Sequence, residues 1–284
     1  MIWVDGRIVL DGSLTVSVLD RTFEHGLGLF ETFSARDGRA PLLDRHLARL
    51  KNSAKELGLP FDSVRPPDEK AVADLLAAEG FLDARMLRVT LSGGRSDSKG
   101  AILWMRSFAP PPPHRREGAF LDVGSWRVLH NDPLARHKCL NYWSRRLASE
   151  SARRLGFDEV LNQTEDGQIW EGSRTNVFVV QGSTLITPWL AGPLVPGVMR
   201  GCVLELSSDL PLTCTLTGGL SLEVLEKADE VFLTNSVRGI IPVAHLRTTN
   251  PTRFIGRWVA PGPWTKALML LLSDRLGLHE RPST

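Results

Sequence analysis

Tyrosine occurs once, at Tyr142, and cysteine three times, at Cys139, Cys202 and Cys214. Three cysteines without metal-ligand spacing exclude a disulfide framework and a zinc ribbon, and they suit a reducing compartment. Lysine is scarce too: only seven of the 34 basic residues are lysines, the rest arginines. The formal net charge is only +2 and no polybasic cluster occurs, so neither nucleic acid nor an anionic membrane is an expected partner. No apolar run approaches the roughly 18 residues of a spanning helix. Met1-Ile2-Trp3-Val4-Asp5 lacks the charged-then-apolar pattern of a signal peptide, which points to a cytoplasmic protein. Walker loops, Gly-x-Ser-x-Gly, strand-borne dinucleotide fingerprints, metal-ligand spacings and internal repeats are all missing.

What remains is an ordinary globular composition, 42% hydrophobic and 23% charged over 284 residues, enough for two modest domains or one large one. Two short β-like runs flank Asp5-Gly6, and an alternating run follows at 14–18. Gly26-Leu27-Gly28 allows close backbone approach or positive φ ahead of a strand near 30–36. Leu43, Leu47, Leu50, Ala54 and Leu57 keep helical spacing over 44–57, with Asp44 as cap and Gly58 as stop. A second helix is expected over 68–79, then buried strands at 85–91 and 101–106. Ala109–Pro113 holds four consecutive prolines, a semi-rigid connector rather than an SH3-type ligand, since it lies between two packed-looking segments. The expected division is a small α/β domain over 1–108, a linker over 109–118 and a larger domain over 119–284.

In the second half, a strand near 119–124 precedes a helix over 141–155. Strands follow at 158–161, 177–180, 185–188 and 230–233, with a helical pattern after Pro196-Gly197 and another over 263–276. The many hairpin turns suit antiparallel sheets in a mixed α+β protein.

Lys138 stands apart from Lys51, Lys55 and Lys70, whose surroundings look solvent-facing. It follows the turn-like Asn131-Asp132-Pro133, and Tyr142 comes four residues later, within reach if a helix starts there. A lysine among apolar and aromatic neighbours loses solvation as a cation, and its neutral amine attacks carbonyls. The plainer reading is a packed stem with its head in water. Three further features favour the first. Glu171 can keep a pyridine nitrogen protonated. Pro196-Gly197 before a helix start offers unpaired N–H groups and a positive helix end suited to phosphate. Arg49 and the Ser236 hydroxyl can complete that anion site, although a charge flanking an apolar stripe is more often solvated. Aldehyde, pyridine and phosphate together describe pyridoxal 5′-phosphate.

With these motifs in order, the chain resembles the class IV aminotransferases, the fold-type IV pyridoxal-phosphate enzymes. Asp20-Arg21 through Phe30-Glu31-Thr32 is similar to the family's Gly-rich segment, and His46-Leu47-Ala48-Arg49-Leu50 to its phosphate-arginine helix. Lys138-Cys139-Leu140-Asn141-Tyr142 is similar to the catalytic lysine motif. Glu171-Gly172-Ser173-Arg174-Thr175-Asn176 is similar to the pyridine-nitrogen motif. Pro196-Gly197-Val198-Met199-Arg200 and Glu230–Val243 are similar to the last two phosphate segments. The resemblance implies a small N-terminal α/β domain, a larger β-barrel-like domain with flanking helices, and a homodimer with its active site near the interface. It makes Lys138 the Schiff-base lysine and proton shuttle, Glu171 the ring-nitrogen partner and Tyr142 a partner of the ring hydroxyl. Arg49, the Val198 and Met199 amides and Ser236 become phosphate ligands, with Gly197 and Asn235 also binding the cofactor.

The family holds branched-chain and D-amino-acid aminotransferases and 4-amino-4-deoxychorismate lyases. Branched-chain enzymes carry threonine where Met199 stands and arginine where Ser34 stands. The arginine-x-histidine trap of D-amino-acid enzymes is replaced by Leu91-Ser92-Gly93-Gly94. Asn235-Ser236 with Gly239 and Pro242 looks more like some lyases. Transamination between an α-amino acid and an α-keto acid is the expected reaction. Release of pyruvate and 4-aminobenzoate from aminodeoxychorismate is the alternative, and a non-catalytic cofactor- or keto-acid-binding homologue the remote one. His25, Phe30, Arg88, Arg95, Val237 and Arg238 are candidate substrate residues; no metal is expected.

Overall fold

The structure, a computed structural model, describes residues 1–81, 84–97, 100–112, 115–249 and 251–277. The chain forms two compact units. Met1–Pro112 and His137–Tyr142 make the first; the described residues through Arg136 and from Trp143 onward make the second. The lysine stretch thus belongs with the N-terminal residues. Within the proline connector expected at 109–118, residues 113 and 114 lie outside the described residues.

In the first unit, β1 (Ile2–Val4) and β2 (Arg7–Val9) form the hairpin expected at Asp5-Gly6. Then come α1 (Arg21–His25), β3 (Gly28–Ala35), α2 (Leu43–Glu56), α3 (Glu69–Ala78), β4 (Arg85–Ser92) and β5 (Leu103–Phe108). The strands form one antiparallel sheet in the order β2-β1-β5-β4-β3. The run at 14–18 is not a strand: alternation without a neighbouring edge to pair with does not suffice. Leu43, Leu50 and Ala54 of α2 and Val72, Leu75 and Leu76 of α3 pack with Phe33, Leu87, Val89, Leu91 and Met105 of the sheet. Asp44 is not the α2 cap; the helix begins one residue earlier, at Leu43, and Asp44 lies in its first turn, where it favours the helix dipole. Asp68 does cap α3, accepting from the Ala71 N–H at 2.8 Å.

The second unit runs β6 (Ala119–Val128), α4 (Trp143–Arg154), β7 (Glu159–Thr164), β8 (Ile169–Gly172), β9 (Asn176–Gln181), β10 (Thr184–Pro188) and α5 (Val198–Leu206). It continues with β11 (Thr213–Thr217), α6 (Leu222–Glu226), β12 (Glu230–Asn235), β13 (Gly239–Thr249), β14 (Thr252–Arg257) and α7 (Pro263–Leu276). Strand order is β11-β10-β9-β12-β13-β6-β7-β8, and β8 pairs back onto β9, closing a barrel. Val123, Leu161, Val177, Val179, Val231, Leu233 and Val243 fill its interior. One residue out of phase, Phe178 and Phe232 stack at 4.9 Å between centroids on the opposite face.

The expectation of antiparallel pairing fails at three places: β6–β7, β6–β13 and β10–β11 are parallel. A parallel neighbour needs a crossover, and α4 is part of the one between β6 and β7. Ala148 and Ala152 of α4 pack on Phe120, Phe157 and Val160. The fold class is otherwise as expected, α+β with a separate sheet and a barrel. Among the described residues, no helix is long and apolar enough to cross a membrane.

Candidate active site

In the first unit, β3 is an edge strand, and its free edge carries the lysine segment. Phe30 N–H donates to the Lys138 carbonyl at 2.9 Å, and Leu140 N–H donates to the Gly28 carbonyl at 2.9 Å. Gly28 has φ +148°; a Cβ there would stand 2.6 Å from Leu140 Cδ1 and 2.7 Å from the Leu91 carbonyl oxygen. Only glycine lets the two segments approach so closely. The docking puts Lys138 Nζ 4.5 Å from the Phe30 ring centroid and 6.0 Å from that of Tyr142. Tyr142 meets Phe30 edge-on at 5.3 Å. Tyr142 precedes the helix, which starts at Trp143, so an extended segment and not a helical turn brings the two motif residues together.

Arg88 joins the same ring, its guanidinium carbon 3.8 Å from the Phe30 centroid. Burial, and the like charge of Arg106 across the β4–β5 ladder, lower its pKa to about 10. Strand pairing therefore unites Lys138, Tyr142, Phe30 and Arg88. It does not bring in His25, exposed at the end of α1, or Arg95, which pairs with Asp97.

Behind the lysine segment lies a buried ion cluster. Arg49 grips Glu31 with two donors, and His46 Nδ1 lies 2.7 Å from Glu31 Oε2. Burial alone would raise the Glu31 pKa, but Arg49 and then His46 more than offset it, leaving it at about 2. His46 is held below the usual histidine range, chiefly by burial. His137 Nδ1 lies 2.9 Å from Ser53 Oγ of α2.

In the second unit, Glu171 sits near the end of β8 with its side chain 5% exposed. Arg145 Nη2 donates to its Oε1 at 2.5 Å, while Val195 N–H (3.0 Å) and Asn176 Nδ2 (3.4 Å) donate to Oε2. Asn176 also donates to the Val195 carbonyl at 3.0 Å, tying the carboxylate to the loop that enters α5. Gly197 is the N-cap of α5 and offers no side-chain cap; a Cβ on it would fall 1.9 Å from Asn176 Oδ1. Val198 and Met199 open the helix, so their amides are among those the helix leaves without an internal partner. Asn235 Oδ1 accepts from the amides of Val237 (3.1 Å) and Arg238 (2.9 Å), folding 235–238 into a tight turn. Arg238 is half-buried, and burial first, then Arg174, lowers its pKa.

Sequence reasoning missed the residues that hold these groups. Arg145 lay unnoticed on a helix face. Buried Glu159 accepts from Ser173 Oγ at 2.5 Å and from the Arg174 amide at 3.3 Å, and so shapes the Glu171–Asn176 turn. An acidic residue within an apolar strand was the available signal.

The family model for amino-transferase class IV matches residues 28–246. The chain belongs to the class IV aminotransferase family. An aminodeoxychorismate lyase of Bacillus subtilis is 30% identical over 300 residues, covering 99% of this chain and 97% of the relative. A branched-chain aminotransferase of Thermoproteus uzoniensis, solved with norvaline, is 26% identical with TM-score 0.83, covering 98% of this chain and 95% of that one. A hypothetical aminotransferase of Mycobacterium tuberculosis, solved in a PLP-bound form, shares the fold at 23% identity and TM-score 0.81, covering 97% and 98%. The resemblance read from the motifs is thereby borne out.

Class IV aminotransferases use pyridoxal 5′-phosphate, and the residues present fit it. The α5 entry has the backbone cradle a phosphate needs, kept open by a glycine. Beside it, Thr234 pairs with Asn176 across β12–β9, and its buried hydroxyl has no partner among the described residues. A buried orphan hydroxyl calls for an acceptor or a water. Lys138, the only lysine described on the β3 edge, supplies the amine.

Proposed function

We propose that this class IV enzyme transfers an amino group between an α-amino acid and an α-keto acid, using pyridoxal 5′-phosphate held by Lys138. When bound, that group supplies an aldehyde that condenses with amines and a ring that stores the electron pair left by a broken Cα–H bond. The protein supplies the rest. Lys138 Nζ anchors the group at rest and carries the α-proton from and to the substrate carbon. Glu171 would accept a hydrogen bond from the ring nitrogen and keep it protonated, and Tyr142 would donate to the ring hydroxyl. Arg49, the Gly197–Val198–Met199 backbone and the Asn235–Ser236 turn take the phosphate. Phe30 and Arg88 meet the substrate, Arg88 on a carboxylate; His25, Arg95, Val237 and Arg238 are the outer candidates.

The observation that carries this reading is the placement of Lys138. Backbone pairing to β3 holds its amine over Phe30 and beside Tyr142, 4.5 Å and 6.0 Å from the ring centroids. Position and orientation of the reacting amine are what such chemistry most requires of a protein.

The test is a half-reaction. Purified protein loaded with pyridoxal phosphate is mixed with single L- or D-amino acids, and conversion of the cofactor to its amine form is followed by absorbance. Conversion supports transfer. No conversion, with 4-aminobenzoate formed from aminodeoxychorismate instead, replaces it with the lyase reading. That second reading is favoured by the full-length likeness to the Bacillus subtilis lyase.

We further propose a cytoplasmic homodimer. Val18, Leu19 and Phe23 leave large apolar surface exposed in the first unit, as Trp143 and Leu147 do in the second, and such patches mark interaction surfaces. Sedimentation giving a monomer at micromolar concentration would remove this part.

A further inference from the structure

Arg145, which no motif marks, makes a short, charged contact to Glu171. Its Nη2 donates to Glu171 Oε1 at 2.5 Å and to the Ala135 carbonyl at 3.1 Å, and its Nη1 reaches the Ser173 carbonyl at 3.4 Å. The two side chains are 17% and 5% exposed, so little solvent screens the pair. The guanidinium is pinned by two backbone carbonyls as well as by the carboxylate it serves.

We propose that Arg145 is a positioning residue that keeps Glu171 ionised and aimed, so that a proton shared with the cofactor's ring nitrogen rests on the ring. The inference rests on the reading of Glu171 as the ring-nitrogen partner. Two forces decide where that proton sits. Burial favours a neutral Glu171 carboxyl beside a neutral ring. Each donor to the carboxylate favours the ionised form, and Arg145, Val195 N–H and Asn176 Nδ2 all donate to it. Of these three only Arg145 carries charge. Its positive charge would also disfavour a protonated ring, but a ring bonded to Glu171 would be separated from Arg145 by the carboxylate, and Coulomb energy falls with distance. The carboxylate, at contact, gains more. A protonated ring stores the electron pair better, so Arg145 acts on turnover without touching substrate.

The experiment loads the full-length protein with pyridoxal phosphate labelled with ¹⁵N in the ring and reads the ring-nitrogen chemical shift. Wild type, Arg145→Gln and Glu171→Gln are compared at one pH, with kcat and KM measured alongside. The wild-type signal is expected at the pyridinium position, and R145Q is expected to move it toward neutral pyridine. kcat should fall about ten- to a hundredfold with little change in KM, the scale on which groups supporting a direct ligand act. A purely structural Arg145 would lower stability and leave the shift of the loaded protein unchanged, which overturns the proposal. If E171Q leaves the shift unchanged as well, the assignment of Glu171 itself fails. If E171Q moves it and R145Q does not, only the role of Arg145 falls. Should R145Q not fold by circular dichroism, Arg145→Lys is read instead. Its shorter stem cannot serve Glu171 and both carbonyls together, so a partial shift is expected and an unchanged one overturns the inference.

Discussion

Arg49 grips Glu31 with two parallel hydrogen bonds, Nε to Oε1 at 2.7 Å and Nη2 to Oε2 at 2.6 Å. Such a fork fixes the plane of the guanidinium. The arginine that the motif offers as a phosphate ligand is thus held by a buried carboxylate 18 residues away in sequence. If it serves phosphate, it does so from a fixed stance.

Acid should loosen the first unit through this pair. Glu31 has a folded pKa of about 2 against 4.5 for the free group, so protonation favours unfolding. Its contribution is full above pH 4.5 and lost as pH falls to about 2. It amounts to about 3 kcal/mol on the scale of 1.4 kcal/mol per pKa unit. His46, held below 6.5 chiefly by burial, acts in the same sense: the folded protein binds its proton more weakly than the unfolded chain does. Urea titrations from pH 7 to pH 3 should show falling stability for wild type and a flatter acid limb for Glu31→Gln. Equal slopes would detach Glu31 from acid stability.

Arg49→Ala should weaken cofactor retention by about 1.5–3 kcal/mol, the worth of one charge-assisted contact. Equilibrium dialysis of pyridoxal phosphate measures it, and unchanged retention removes Arg49 from the phosphate site. Thermal denaturation run in parallel separates this from the loss of the Glu31 pair.

Lys138→Ala should abolish the visible absorbance of lysine-linked cofactor and all turnover. Cofactor still held without covalent linkage would show the free aldehyde spectrum. Persistence of the original band would assign the linkage to another amine.

Gly197→Ala would place its Cβ 1.9 Å from Asn176 Oδ1, against a side chain that bonds Glu171 and the Val195 carbonyl. Overpacking of this kind costs about 1–3 kcal/mol. The melting temperature should drop, and cofactor should dissociate faster than from wild type by stopped-flow. A variant with native dissociation rate would show that the α5 entry does not hold the phosphate.

Gly28→Ala should act at the other unit. The new Cβ meets the Leu91 carbonyl oxygen at 2.7 Å, and backbone cannot step aside as a side-chain tip can. Displacing the β3 edge should move Lys138 and slow its reduction by borohydride once linked to cofactor. Reduction at the wild-type rate would refute the dependence of Lys138 on this glycine.

Much of this was readable along the chain because it is local. Glycine stops marked α2 and α3, with apolar spacing for α2, and the helical run over 263–276 marked α7, all to within two residues, since each depends on neighbours within a turn or two, although the cap expected at Asp44 did not form. The order of the lysine, glutamate and Pro-Gly motifs sufficed for the family. The parallel strands were not readable, because register between β6 and β7 is settled by which edges meet after α4 crosses over. Nor were the roles of Arg145, Glu31 and Glu159: a charge looks solvent-bound until a partner far along the chain removes it from water.

By itself, then, the sequence determined the chemistry available: one distinctive amine, one acid in the right motif, and a helix entry that only glycine opens. Tertiary structure alone decided how those groups are held. Lys138 gains its place from the β3 edge, and Glu171 is held by donors as far as 26 positions away. Ionisation and aim inside a protein depend on burial and on partners, and neither exists until the chain has folded.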